Sequence, residues 1–403
     1  MTNFVECGSG VTAPKGFLAS GLYCGIRKAK KDIALIYSET PASVAAVFTL
    51  NKTQAAPILV DKIQLKRSSL CSAVLVNSGN ANACTGERGL NDAWQMVRTA
   101  AEVLAIPEEQ VMVSSTGIIG QYLPMEKITA SVPELKNTLR RDGSQYAADA
   151  IMTTDTFSKQ VAVQFSLGNS IVTIGGMAKG SGMIAPNMAT MLGFITTDAL
   201  IPQLLLMKAL QSSNRKSFNR ISVDGDMSTN DQVILLANGM AQNPPIAQDS
   251  EEYALFCSAL DYVLIKLAKM IARDGEGATK LIEIIVKGAA SEGEAEQAAR
   301  SVANSNLVKT AIHGADANWG RIIAAVGYSG IEMDPNNVEV SFGDLQILKK
   351  NYEILLDEDR AKEILTRDFV VITINLNNGG HAVRFWTCDL TKEYVHINAS
   401  YRS

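Results

Sequence analysis

Apolar residues recur at helical spacing from Glu251 to Arg273, whereas the first half of the chain carries short runs rich in β-branched side chains. A spacing of three or four residues places Leu260, Leu264 and Leu267 on one face of a helix. Asp274 and Gly275 follow as a helix stop. A chain that combines this helix with many short strands is expected to adopt a mixed α/β fold.

Other elements follow from the same patterns. A second helix is predicted over Asn91–Leu104, and a third near Ser291, where Ser291 and Glu294 fit a capping box. Two hairpins are predicted from turn residues between apolar runs, at Gly168-Asn169 and Gly343-Asp344. Further strands are predicted at residues 32–38, 45–50, 72–76, 111–115 and 190–197. We expect the last third of the chain to form a separate lobe.

Composition excludes several classes of protein. The chain has 403 residues, of which 47% are hydrophobic and 19% are charged, a balance typical of a globular protein with a large core. The formal net charge of -4 argues against nucleic-acid binding. The densest basic run, Arg27–Lys31, is interpreted as a solvated turn.

No apolar stretch predicts a membrane span, because the most apolar region is broken by Pro186, Asp198 and Pro202. The N-terminus lacks the features of a signal peptide. The six cysteines are scattered without a Cys-x-x-Cys pair, which predicts no metal cluster, no disulfide framework and a cytoplasmic location.

Histidine occurs only three times, as His313, His381 and His396, and this scarcity narrows the catalytic options. No G-x-S-x-G sequence indicates a serine nucleophile, and no His-Glu-x-x-His pair indicates a zinc site. We interpret the three histidines as ordinary polar or core residues.

The segment from Lys179 to Leu192 joins a Gly-rich loop to a predicted strand and contains Ala189 followed by Thr190. Cleavage between them would give Thr190 a free α-amine with a pKa of roughly 7.7–8.0. Such an amine can act as base for the hydroxyl of its own residue, so histidine is not needed. On local spacing alone, however, a loop before a buried strand explains the segment better.

Three other segments carry polar groups suited to chemistry. Thr116-Gly117 ends a predicted strand, where a backbone N–H or the hydroxyl could stabilise an oxyanion. Asp224–Asp231 does not fit a calcium loop, since Thr229 and Leu235 stand where glycine and glutamate are needed, and a turn is favoured. Glu276, between two glycines, is interpreted as part of a solvated turn.

Taken together, these segments resemble the ornithine acetyltransferase family, also called bifunctional arginine-biosynthesis acetyltransferases. The resemblance spans nearly the whole chain, in blocks at residues 14–17, 47–49, 55–57, 77–86, 115–117, 152–156, 179–192, 223–226, 228–231, 274–280, 318–321, 388–391 and 397–399. Chance does not produce so many blocks in one order. The resemblance therefore outweighs the local interpretation of Ala189-Thr190.

The resemblance implies that Thr190 is a nucleophile exposed by self-cleavage after Ala189, and that Thr116 and Gly117 form the oxyanion hole. It assigns to the substrate pocket Thr190, Thr153 or Thr154, Lys179, Glu276, Asn398 and Ser403. The implied reaction is ping-pong: N2-acetylornithine gives its acetyl group to Thr190, and glutamate collects it. Many members also accept acetyl-CoA as donor, and neither a cofactor nor a metal is implied.

These assigned roles agree with elementary electrostatics. Both amino-acid substrates carry a carboxylate that Lys179 could anchor, and ornithine carries an ammonium that Glu276 could pair with. A lysine near the α-amine of Thr190 would also help to keep that amine unprotonated.

The resemblance also implies a four-layer α/β/β/α sandwich of the kind found in self-processing aminopeptidases, with a smaller C-terminal α/β lobe at about residues 284–403. Cleavage would give an alpha chain of residues 1–189 and a beta chain of residues 190–403. The two chains are expected to stay associated and to form a homo-oligomer, with no nucleic-acid or membrane partner.

Some positions depart from the family pattern. Ser403 lies at the chain terminus, Met227 and Gln232 stand where threonine is usual, Ala317 stands where proline is usual, and Ser158 replaces a common proline. Two alternatives stay open: a self-processing aminopeptidase or amidase, in which water attacks the acyl-enzyme, and an uncut binding protein without catalysis.

Overall fold

The computed structural model describes residues 4–8, 10–185 and 191–400. The chain divides into two compact units. Unit 1 comprises Met1–Gly180, Asn187–Asn219 and Asp226–Leu267, and unit 2 comprises Ser181–Pro186, Arg220–Gly225 and Ala268–Ser403.

Unit 1 contains most of the strands. Its strands are β1 (Val5–Cys7), β2 (Phe17–Leu22), β3 (Ile33–Phe48), β4 (Leu70–Asn80), β5 (Val111–Ile118), β6 (Lys159–Leu167), β7 (Ser170–Lys179), β8 (Leu192–Thr197) and β9 (Gln232–Ala237). Its helices are α1 (Ala56–Arg67), α2 (Gly86–Leu104), α3 (Met125–Asn137), α4 (Ser144–Ile151), α5 (Gln203–Lys216) and α6 (Glu251–Arg273), the last of which continues into unit 2.

Among the described residues, nine strands form one sheet in the order β1-β6-β7-β8-β9-β3-β4-β5, with β2 also paired to β3. Strand β3 has two sets of partners. Its residues 33–38 pair with β2, its residues 33–37 and 42–43 pair with β4, and its residues 43–48 pair with β9. One long strand therefore carries the hydrogen-bonded ladder from one half of the sheet to the other.

Alternating side chains show that unit 1 is layered. Ile33, Leu35, Leu75 and Val113 face a core that they share with α2 and α3. Their neighbours along the same strands face a second core, which they share with β7, β8 and β9. This second core contains Ala34, Ile36, Val74, Val76, Met112, Met177, Phe194, Ile234 and Leu236.

On the outer side of β7, α6 packs so closely that a Cβ at Gly176 would lie 3.0 Å from the Leu267 side chain. The two halves of the sheet therefore form the two inner layers, with the second core between them. Helices α2 and α3 cover one half and α6 covers the other, so the predicted α/β/β/α class is confirmed.

Unit 2 has its own sheet and core. Its strands are β10 (Leu281–Ala289), β11 (Glu339–Phe342), β12 (Leu345–Leu348), β13 (Phe369–Asn375) and β14 (His381–Cys388), in the order β12-β11-β13-β10-β14. Its helices are α7 (Glu292–Ala303), α8 (Asn306–His313), α9 (Trp319–Gly327), α10 (Glu358–Leu365) and α11 (Lys392–Ala399). The core between them includes Ile284, Ala299, Phe342 and Ile372.

Several predicted elements occur where the sequence indicated. Helix α6 has the predicted limits, both hairpins are present, and Ser291 Oγ accepts the N–H of Glu294 at 3.2 Å. Two predictions were incomplete: the runs at 32–38 and 45–50 belong to the single strand β3, and β4 continues into the supposed loop as far as Asn80.

Among the described helices, none is long and apolar enough to cross a bilayer. The described residues also include no cluster of His, Cys, Asp and Glu side chains arranged to hold a metal ion.

Candidate active site

Three predicted site residues, Ala189, Thr190 and Ser403, lie outside the described residues. The first described residue after Thr190 is Met191, which leads directly into β8. Lys179, the last residue of β7, pairs with Leu192, and Leu192 pairs in turn with Gln232. The end of β7 and the starts of β8 and β9 therefore lie side by side, and β8 begins two residues after the predicted nucleophile in sequence.

Thr116 and Gly117 lie near the end of β5, where its parallel pairing with β4 becomes irregular. Gly117 has φ +134°, and a Cβ on it would lie 2.3 Å from the carbonyl carbon of Gly79. No other residue fits this backbone without moving β4. The close approach of the two strands fixes the direction of the N–H groups that are predicted to bind an oxyanion.

Two buried asparagines hold this strand end in place. Asn230 Nδ2 donates to the carbonyl oxygens of Ser115 at 2.8 Å and Ala81 at 2.6 Å. Ser115 Oγ donates to Asn77 Oδ1 at 2.6 Å. The backbone that leads into Thr116 is thus tied to both β4 and the loop before β9.

Thr153 is bonded through both of its backbone polar groups. Its N–H donates to Asp155 Oδ2 at 2.9 Å, and its carbonyl oxygen accepts from Arg27 Nη2 at 3.0 Å. Arg27 Nη1 also donates to the carbonyl of Met152 at 2.8 Å. Lys28 and Lys30 are exposed in a bend, as the sequence predicted for this run, but the guanidinium of Arg27 bridges two consecutive carbonyls of the segment that precedes Thr154.

Asp155 links this segment to the end of β7. Its Oδ1 accepts from Lys159 Nζ at 2.7 Å and from the N–H of Gly180 at 2.7 Å, and the two charged side chains of the Asp155–Lys159 pair are fully buried. Burial alone would raise the pKa of Asp155, but the cations of Lys179 and Lys159 together with these hydrogen bonds hold it well below its usual range. Asp155 is therefore an ionised carboxylate that compensates two lysines.

Asp231 immediately precedes β9 and is fully buried. Its Oδ1 accepts the N–H of Met191 at 3.1 Å. Burial raises the pKa of this carboxyl well above its usual range, although the Met191 N–H, Ser228 and the cation of Lys179 act in the opposite direction. The pKa values of two aspartates influenced by the same lysine are thus shifted in opposite directions.

In unit 2, Glu276 follows α6 and is buried, with 7% of its surface exposed, rather than lying in a solvated turn. Its carboxylate accepts from Asn398 Nδ2 at 2.8 Å, and its N–H donates to the carbonyl of Ser181 at 3.0 Å. A Cβ at Gly182 would lie 2.4 Å from the Glu276 carboxylate, so a larger residue there would displace this carboxylate. The structure therefore brings together two of the predicted substrate-binding residues in this unit.

The predicted turn at Asp224 also has a definite role in unit 2. Its carboxylate accepts the N–H groups of Met183 at 2.6 Å and Ile184 at 2.8 Å. The loop that contains Gly182 is therefore anchored at both ends, by Asp224 and by the Glu276 N–H.

A sequence model of the ArgJ family matches residues 18–403. The chain belongs to the ArgJ family. It is 52% identical over 397 residues to the arginine biosynthesis bifunctional protein ArgJ of Symbiobacterium thermophilum, covering 98% of each chain. It is 49% identical over 397 residues to the protein of the same name from Caldanaerobacter subterraneus, again covering 98% of each chain.

Solved structures of ArgJ-family members are similar to about half of this chain. A crystal structure of ornithine acetyltransferase complexed with ornithine from Mycobacterium tuberculosis is 39% identical and covers 45% of this chain and 98% of its own, with a TM-score of 0.43. The corresponding values for the ArgJ protein of Bacillus halodurans are 46%, 46%, 98% and 0.45.

Four residues at this ArgJ-family site were not singled out from the sequence: Arg27, Asp155, Asn230 and Asp231. The last three lie within blocks 152–156 and 228–231 that carry the resemblance, so a signal for them was present. Arg27 had no such signal. Its partners Met152 and Thr153 are 125 and 126 residues away, and no local pattern encodes that contact.

Proposed function

We propose that this ArgJ-family chain is an acetyltransferase of arginine biosynthesis, which moves the acetyl group of N2-acetylornithine to glutamate through an ester on Thr190. The observation that carries the proposal is the match of the family to residues 18–403, together with relatives that are about half identical over the whole chain. Cleavage between Ala189 and Thr190 would generate the nucleophile.

In the first half-reaction, Thr190 Oγ attacks the acetyl carbon, and its proton passes to the α-amine of the same residue. The C–N bond of the substrate then breaks, and this proton goes to the departing ornithine amine. In the second half-reaction, the amine of glutamate attacks the ester carbonyl and gives a proton to the α-amine of Thr190. The ester C–O bond then breaks, and this proton passes to Thr190 Oγ. Both half-reactions form an oxyanion that Thr116 and Gly117 would stabilise.

Substrate recognition uses charge. We assign Lys179 to the α-carboxylate that both amino acids share, and Glu276 with Asn398 to the ammonium of ornithine. Thr153 or Thr154 and Ser403 complete the assigned pocket. Because base and nucleophile come from one residue, this chemistry requires no cofactor, although acetyl-CoA can replace acetylornithine as donor in the proposal.

The proposal extends to the assembly of the protein. We propose that residues 1–189 and 190–403 stay together after cleavage, that this pair forms a homo-oligomer, and that the enzyme works in the cytoplasm. Neither a nucleic acid nor a membrane is a partner. A smaller C-terminal lobe over about residues 284–403 belongs to the second chain.

The reaction is tested by incubating the purified protein with N2-acetylornithine, with and without glutamate, and measuring free ornithine. We expect sustained release only with glutamate, and an equal amount of N-acetylglutamate. Release at the same rate without glutamate would instead identify an amidase. A parallel assay with acetyl-CoA and glutamate decides whether the protein also starts the pathway.

Self-cleavage is tested by denaturing electrophoresis. The cleaved protein should give fragments of 189 and 214 residues, since 403 − 189 = 214. Thr190→Ala should stay uncut and inactive. A single full-length band from an active wild-type protein would contradict the mechanism.

A further inference from the structure

The carboxyl group of Asp231 is bonded to the peptide that follows the proposed nucleophile. Asp231 Oδ1 accepts the N–H of Met191 at 3.1 Å, and the Gln232 N–H donates to the Met191 carbonyl at 3.3 Å. The Asp231 carbonyl accepts from the N–H of Thr49 at 2.9 Å, which fixes its own backbone to the end of β3. The Met191 nitrogen belongs to the planar peptide group that contains the carbonyl of Thr190. Asp231 therefore holds the nitrogen of the peptide bond that joins Thr190 to Met191.

The second oxygen of this carboxyl has no such bond. Asp231 Oδ2 is buried and has no hydrogen-bond partner within residues 4–8, 10–185 and 191–400. An ionised carboxylate in this state would be costly, whereas a protonated one is tolerated. The single N–H donor on Oδ1 leaves Oδ2 as the oxygen that carries the proton.

The charged surroundings of Asp231 are simple. Lys179 on β7 is the cation that acts on it, and Lys179 is also close to the ionised Asp155. Strand β8 and residues 43–48 of β3 carry no ionisable side chain. The negative charge nearest to Lys179 that these groups supply is that of Asp155, which Lys179 shares with Lys159.

We propose that Asp231 is a positioning residue of the acetyl-transfer site that works as a neutral carboxylic acid. It fixes the peptide after Thr190 without placing a negative charge beside the α-amine of that residue. The proposal rests on the proposed function, because it concerns the amine that acts as base there.

The neutral state matters because the amine must be unprotonated to accept the proton of Thr190 Oγ. The α-nitrogen of residue 190 and the Met191 nitrogen are three bonds apart, so a charge on Asp231 would lie within roughly 6 Å of the amine. A carboxylate at that distance would stabilise the ammonium form and remove the base. A neutral acid still accepts the Met191 N–H, through a weaker hydrogen bond, and has no such effect on the amine.

Asp198 provides a matched control at the other end of β8. It is also buried, and it accepts the N–H groups of Thr173 at 2.7 Å and Lys15 at 3.0 Å. Burial raises the pKa of Asp198 too, against these bonds. Asp198 is thus, like Asp231, a buried carboxyl that accepts a backbone N–H and has a raised pKa, but it lies a full strand away from Met191.

The experiment compares wild type with Asp231→Asn, Asp231→Ala and Asp198→Asn, and measures cleavage together with kcat and KM for glutamate-dependent ornithine release. Asparagine keeps an acceptor for the Met191 N–H and is permanently neutral, so Asp231→Asn should cleave itself and keep kcat within about threefold of wild type. Asp231→Ala should lose about 10²-fold in kcat with little change in KM, or stay uncut, because Thr190 is no longer held. Asp198→Asn should match wild type.

The pH profile of kcat/KM tests whether Asp231 carries a negative charge near the α-amine. The acid limb of kcat/KM follows the α-amine, and it should coincide in wild type and Asp231→Asn to within about 0.3 pH units if Asp231 carries no charge. A shift of the limb by roughly one unit toward lower pH in Asp231→Asn would show that a negative charge had been removed, and would overturn the proposal. So would a loss in Asp231→Asn as large as in Asp231→Ala, wild-type kcat in Asp231→Ala, or an equal loss in Asp198→Asn.

The charge of Asp231 can also be measured without turnover, which separates this proposal from the proposed function. At pH 7, carbon-13 NMR of the carboxyl groups should show a protonated signal that Asp231→Asn removes. The presence of this protonated signal supports the neutral acid even if the wild-type protein releases no ornithine. The lack of ornithine release would refute only the acetyl-transfer reaction. Its absence overturns the neutral acid whatever the activity.

Discussion

Two buried aspartates near Lys179 have pKa values that are shifted in opposite directions. Asp155 is ionised because Lys159 and Lys179 compensate it, and its oxygens bind the backbone of Thr153 and Gly180. Asp231 has one backbone donor and a pKa raised by burial. The number of cations in contact with each carboxyl, more than its depth, decides its charge.

Removing the charge of Asp155 should destabilise the protein strongly. Asp155→Asn leaves the fully buried ammonium of Lys159 uncompensated, which should cost about 3–5 kcal/mol of unfolding free energy in urea titrations at pH 7. Because the pKa of Asp155 is lower in the folded state, its contribution is present above about pH 4 and is lost as the pH falls further. The difference between variant and wild type should therefore shrink in acid.

A surface pair supplies the control for Asp155→Asn. Glu39→Gln breaks the exposed ion pair with Arg141 and should change stability by less than about 0.5 kcal/mol. Equal effects of the two substitutions would contradict the role given to the buried pair.

The hydroxyl of Thr116 should contribute to transfer. Thr116→Ala should lower kcat by about 10²–10³-fold if the hydroxyl binds the oxyanion, because one donor is lost. Thr116→Ser keeps the donor and should recover most of the rate in the ornithine-release assay. An unchanged rate in Thr116→Ala would leave the backbone N–H groups as the donors.

How far these residues could be predicted depends on the range of their contacts. Thr116, Lys179 and Glu276 lie in continuous blocks that carry the family resemblance, so the sequence was sufficient to name them. Arg27 reaches carbonyls that only the folded chain brings near, and its charged neighbours in sequence favoured a solvated turn.

At the scale of elements, the end of β5 is shaped by its closeness to β4. Gly117 combines φ +134° with a contact to the Gly79 and Asn80 backbone. Backbone on both sides leaves no flexible side chain to move aside, so the conformation is fixed by the two strands together.

Gly117→Ala should therefore separate the strand ends and lower kcat by about 10²-fold or more. Gly120→Ala is the matched control, because φ is also positive, +81°, but a Cβ there meets nothing within 4 Å. The control should lose about 1 kcal/mol of stability and keep its kcat. If both variants kept kcat, the geometry of the β5 end would not limit transfer.

Element prediction succeeded where one face is uniformly apolar, as in α6. It failed for α1, where Asp61 and Gln64 occupy buried positions and interrupt the apolar spacing. It also missed the continuity of β3, because residues 39–41 at its middle are exposed and polar or turn-forming. The order of strands depends on contacts distant in sequence, and no local pattern specifies it.

At the scale of the molecule, the described part of unit 1 holds four buried carboxyl groups whose pKa is raised by burial, those of Asp61, Asp92, Asp198 and Asp231. A raised pKa means that the folded state binds the proton more tightly than the unfolded state does. Stability from these groups is therefore lost as the pH rises from about 4 toward the folded pKa.

Asp61→Asn should reduce the stability that the folded protein loses as the pH rises. Asp61 Oδ1 accepts the Val113 N–H at 2.9 Å, and an asparagine oxygen can do the same. Urea denaturation between pH 4.5 and pH 8 should give a stability difference, variant minus wild type, that grows with pH. A difference that stays constant across this range would contradict the raised pKa of Asp61.

Strands β8 and β9 occupy the middle of the large sheet, between β7 and β3. Cleavage after Ala189 would assign these two strands to one polypeptide and their neighbours on both sides to the other. Refolding of the cleaved protein would then be second order, with a yield that depends on protein concentration. The uncut Thr190→Ala chain would refold at a rate independent of concentration, so maturation would convert a unimolecular folding problem into an association of two chains.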